Sequence, residues 1–141
     1  MSTLTPFPDN ATVFRAAKNK SWFSADGKKG APPAFYRRSP LNSEYPDLKG
    51  LSVDTSTDAI LENMDRKFYG FISLEVGQVR GLQLDVERDA ATHGNITNGE
   101  IELPFRHPTD LTIIAESDRL AIALADISTG HFELIPAKPN R

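Results

Sequence analysis

FISLEVGQVRGLQLDVE, residues 71–87, decides how the rest of the chain is read. Ile72, Leu74 and Val76 alternate with Phe71, Ser73 and Glu75, and Leu82, Leu84 and Val86 alternate with Gln83, Asp85 and Glu87. A period of two marks half-buried strands. Gly77-Gln78 between the runs suits a two-residue hairpin turn. A two-residue loop pairs Leu74 with Gly81 and sends Leu82 and Leu84 to the face opposite Ile72 and Leu74. One extra residue, accommodated by a bulge at Gly81, returns all four to a single buried face. The stretch therefore predicts an antiparallel hairpin with an irregularity.

Working outward, ATVFRA (11–16) reads as a short strand, as do Leu51 and Val53 in GLSVD. Thr55 with Asp58 resembles a capping box ahead of a short helix near 56–64. AFYRR (34–38), between Pro33 and Pro40, is expected to be a strand, and SADGKKGAPP (24–33) a loop. DLTIIAESDRLAIALADIS (110–128) carries Ile113, Leu120, Leu124 and Ile127 at helical spacing, flanked by Ala121 and Ala125. Asp110 or Thr112 is placed to start that helix and Gly130 to end it in a left-handed conformation. HFELI (131–135) reads as a final strand. The sum is α+β: a mostly antiparallel sheet with a long C-terminal helix on one face. Residues 11–135 form one domain in this reading, between frayed tails at 1–10 and 136–141.

The 141-residue chain is long enough to bury a core without staples. It contains no cysteine, which excludes disulfides, Cys-ligated metals and a cysteine nucleophile. Residues 1–20 lack the apolar run of a secretory signal, and no stretch approaches 18 consecutive apolar residues. A cytoplasmic protein without a membrane partner is expected. The net charge of −3 is unevenly spread, +4 over residues 1–50 and −7 over 51–141. Such polarity either steers an anionic ligand or lets the two halves attract each other.

Between Phe14 and Arg38 lie seven cations, one acid and five aromatic rings. Rings stack on bases and cations neutralise phosphates, so Arg15, Trp22, Phe35, Tyr36, Arg37 and Arg38 are candidate contacts for a nucleotide, nucleic acid or phosphate group. A second arrangement fits the same residues, with Phe14, Trp22 and Phe35 in the core and the lysines solvated. A protein-interaction or oligomerisation domain is a further alternative.

Three other clusters carry chemistry. Asp85, Glu87 and Asp89 in DVERDAATH would share one strand face and invite a hard cation, although the stretch is no EF-hand: Ala90 and Ile96 stand where Gly and Glu are needed. His93, ahead of Gly94-Asn95, is the best candidate general base, with His107 and His131 in less suggestive settings. A Ser-His-Asp set cannot be read from spacing, because such groups assemble in space. Lastly, Arg15 in VFRA, Ser52 in LSVDTS and the pair Glu100/Glu102 in GEIELP resemble, in that order, the arginine, serine and Glu-x-Glu elements of the mono-ADP-ribosyltransferases. The resemblance implies Arg15 on dinucleotide phosphates, Ser52 supporting the site and Glu102 stabilising an oxocarbenium-like transition state. Asp54 interrupts the serine element, and a long helix follows the Glu-x-Glu where that family has strands.

Overall fold

A computed structural model describes residues 5–36, 51–63, 67–97 and 111–136. The elements are β1 (Thr12–Ala16), β2 (Leu51–Asp54), α1 (Thr57–Asn63), β3 (Phe68–Glu75), α2 (Val76–Arg80), β4 (Asp85–Ala90), β5 (His93–Thr97), α3 (Leu111–Ile127) and β6 (Thr129–Ile135). Short 3₁₀ turns occupy Lys20–Trp22 and Pro32–Phe35. The strands form one antiparallel sheet in the order β4-β5-β2-β1-β3-β6. The architecture is α+β, as the sequence predicts. Among the described residues, no helix is long and apolar enough to cross a membrane.

Strand alternation gives the sheet two unlike faces. Register places Val13 beside Leu74, Leu51 beside Ile96, and Ile96 beside Val86. These side chains are at most 2% exposed and form the main core with Leu120, Ala121, Leu124 and Ala125 of α3. On the opposite face, Ile60 of α1 closes a smaller cluster over Phe68 and Phe71, joined by Phe14, Ala16 and Ile135. Between β2 and β5 this second face is polar. Ser52 and Asp54 alternate with the buried Leu51 and Val53, and His93 and Asn95 lie across from them.

The expected hairpin over 71–87 does not form. β3 ends at Glu75, and Val76–Arg80 is a helical turn whose Val76 and Val79 are both fully buried. That spacing of three is a helical signal lying between two alternating runs. Leu82 and Leu84 follow this turn, and the strand after them pairs with β5 rather than β3. Ile72, Leu74 and Leu84 are buried even so, with Leu82 packed at the margin of the same core. The AFYRR strand is likewise absent over its described part. Pro32-Pro33 open a 3₁₀ turn through Phe35, which suits proline's fixed φ and missing N–H.

Smaller corrections have local causes. Ser56, not Thr55, caps α1, its Oγ accepting from the Ala59 N–H at 3.1 Å. Gly130 lies inside β6 and is not left-handed; past the end of α3, the Ser128 hydroxyl donates to the Ala125 carbonyl. Of the expected N-terminal tail, residues 1–4 lie outside the described residues, and the rest contacts the domain through Phe7 and Asp9. Phe7 is 3% exposed in the main core, the Asp9 carbonyl accepts from Gly77 N–H, and the Asp9 carboxylate pairs with Arg80 at 2.7 Å. The true left-handed glycine in the sheet is Gly70 (φ +114°), where a side chain would overlap the His131 carbonyl. The expected cap Asp110, and residues 137–141 of the expected C-terminal tail, lie outside the described residues.

Candidate catalytic site

The polar side of β2, β5 and β4 brings together residues that are far apart in sequence. Ser52 stands directly opposite Asn95, and Asp54 opposite His93. Ser52 is therefore the diagonal neighbour of His93 on one face, within reach of its ring. The Ser52 Oγ to His93 Nε2 distance is 2.5 Å. β4 and β5 form a hairpin with Ala90 opposite His93, and the register shifts between Arg88 and Ala90. The irregularity falls at Asp89, and bulges of this kind re-aim a side chain. Asp89 Oδ1 lies 2.7 Å from His93 Nδ1, while its Oδ2 accepts from Asn95 Nδ2 at 2.9 Å.

Donor and acceptor roles follow from chemistry. An ionised carboxylate only accepts, so Nδ1 of His93 carries the proton toward Asp89. With that proton on Nδ1, the neutral form of the ring has its Nε2 lone pair toward the Ser52 hydroxyl. Ser52, His93 and Asp89 form a serine–imidazole–carboxylate relay, recognised by its geometry and not by chain order. The His93 and Asp89 side chains are 30% and 27% exposed, so solvent reaches the relay. Asp54 adds a second carboxyl group beside it. Burial pushes the Asp54 carboxyl above its ordinary range, against the opposing pull of His93, Arg15 and Lys18.

Arg15 is 4% exposed on the neighbouring strand. Its Nε donates to the Ala34 carbonyl at 2.9 Å and one terminal nitrogen to the Ser52 carbonyl at 2.6 Å, with the guanidinium 5.8 Å from the centre of the Trp22 ring. Two elements of the ADP-ribosyltransferase resemblance, Arg15 and Ser52, are thus in contact; Glu100 and Glu102 lie outside the described residues. Trp22 and Phe35 are buried in the main core, and the Tyr36 hydroxyl donates to Asp118 at 2.5 Å. Arg37, Arg38 and His107 lie outside the described residues. His131, exposed on β6, sits 3.2 Å from the Ser73 hydroxyl.

Of the three acids on the expected strand face, two are engaged by side chains of the protein. Asp85 pairs with Arg80 at 2.9 Å, and Asp89 with His93 and Asn95. Asp89 was legible only as an acid on a strand face, and Asn95 was not legible as a site residue. The one local signal is the brevity of the turn at Ala91-Thr92, which folds Asp89 back over His93. Comparison with protein-family models, with curated proteins and with solved structures returns no match.

Proposed function

We propose that this chain is an acyl hydrolase in which Ser52 is the nucleophile, His93 the general base and Asp89 the group that orients and stabilises the imidazole. The single observation behind the reading is the unbroken hydrogen-bonded sequence from Ser52 Oγ through both His93 nitrogens to Asp89. In the first step Ser52 Oγ bonds to the carbonyl carbon of an ester-type substrate while its proton passes to His93 Nε2. The tetrahedral adduct collapses, the leaving oxygen takes that proton, and an acyl-serine remains. Water, deprotonated by the same nitrogen, then releases the acid and restores Ser52. Asp89 stays ionised throughout and offsets the positive charge that the ring acquires.

Hydrolysis of a p-nitrophenyl ester by the full chain tests this reading. His93→Asn is expected to lower the Ser52-dependent rate by roughly 10³-fold or more, since one member of such a relay accounts for about as much as the whole. An unchanged rate in folded His93→Asn or Ser52→Ala protein contradicts it.

A second reading follows the ADP-ribosyltransferase resemblance, two elements of which, Arg15 and Ser52, are in contact through the Ser52 carbonyl. It takes the site as one for a nucleotide-type anion, in the manner of the ADP-ribosyltransferases, with Arg15, Arg37 and Arg38 supplying charge and Glu102 the catalytic carboxylate. Cleavage of NAD that survives Ser52→Ala but not Glu102→Gln supports this reading over the hydrolase.

A further inference from the structure

We infer that Asn95 is a positioning residue for the relay, holding Asp89 so that His93 keeps its proton on Nδ1 and its lone pair toward Ser52. The inference rests on the hydrolase reading and adds to it a residue outside the three reacting groups. A carboxyl group turns readily about its terminal torsion and offers two equivalent oxygens. Asp89 sits at an irregular position beside a tight turn, with about a quarter of its side chain in contact with water. Without the Asn95 contact on Oδ2, Oδ1 would be freer to share its time between His93 and solvent.

Asn95 removes that freedom. It is 6% exposed, two residues beyond His93 on the same face of β5, and directly across from Ser52. The 2.9 Å contact to Asp89 Oδ2 identifies the amide nitrogen as the atom facing the carboxylate, because an amide oxygen there would repel it. With Oδ2 anchored, the torsion is fixed and Oδ1 is aimed at His93 Nδ1. Partners of this outer kind set the tautomer and orientation of a histidine that they never touch.

The test reads the ring itself. In the full-length protein, ¹⁵N NMR of His93 in its neutral form is expected to show the Nδ1–H tautomer predominating. Asn95→Ala is expected to give a mixture of tautomers and a fall of about 10–100-fold in the rate at which Ser52 reacts with a fluorophosphonate, the range that outer-shell partners of metal-bound histidines command. Asn95→Asp, of the same shape, keeps the measurement available if the alanine variant does not fold. It replaces the N–H donor with an oxygen and should disturb the tautomer in the same way. An unchanged tautomer ratio in either folded variant overturns the inference. Should the wild-type chain resist the fluorophosphonate while Asn95→Ala still shifts the tautomer, the hydrolase reading falls and the positioning of His93 by Asn95 stands.

Discussion

Asp89 and His93 meet at 2.7 Å because the β4–β5 hairpin turns in two residues and carries its register shift at Asp89. In an unbroken strand, Asp89 would continue the pairing ladder, with its side chain fixed by the pleat. The extra residue swings the carboxylate over β5, where His93 and Asn95 receive it. The relay is thus a product of sheet irregularity as much as of residue type.

Asp54 supplies a pH-dependent test of the same face. Its folded-state carboxyl is pushed up by burial, so between its unfolded and folded pKa values the folded chain binds more protons than the unfolded one. Stability then falls as pH rises through that window, and the full penalty remains above it. Asp54→Asn removes the penalty. The expected result is a higher denaturation midpoint than wild type at pH 7 and no difference at pH 3, read from urea melts at both values.

Among the described residues, six of the nine regular elements were readable in the sequence, and the failures share a cause. β1, β2, α1, β3, α3 and β6 each carry their own periodicity. Residues 76–80 do not, because Val76 and Val79 belong at once to an alternating run and to a helical turn, and only the packing of both into the core selects the helix. The site was legible in pieces. Ser52 and His93 stood out singly, but their contact needs β2 paired with β5, a pairing across some forty residues that no local pattern encodes. Asp89 needed the bulge as well.

Arg15→Met separates an internal role from a ligand-binding one. The guanidinium satisfies the Ala34 and Ser52 carbonyls from a nearly buried position. Methionine fills the space and leaves both acceptors without these donors, at about 1–3 kcal/mol for each unsatisfied group. The expected outcome is a loss of about 2–6 kcal/mol in chemical denaturation. Retained stability with lost affinity for inorganic phosphate would instead make Arg15 a ligand contact.

Leu124 tests the packing of α3 on the sheet. It is fully buried among the main core residues. Leu124→Ala is expected to cost about 2–5 kcal/mol, through lost apolar transfer and the cavity left behind. A denaturation midpoint equal to wild type would show that this stripe of α3 does not pack as described.

The central claim is that Ser52 is an activated nucleophile, and its covalent capture tests that most directly. The full chain is incubated with a fluorophosphonate, then digested and mapped by mass spectrometry. Ser52 lies 2.5 Å from the base that would take its proton, with Asp89 on the ring's other nitrogen. The account predicts one phosphonylated residue, Ser52, with labelling lost in His93→Asn. No adduct at Ser52, or an adduct formed equally fast in folded His93→Asn, would contradict it.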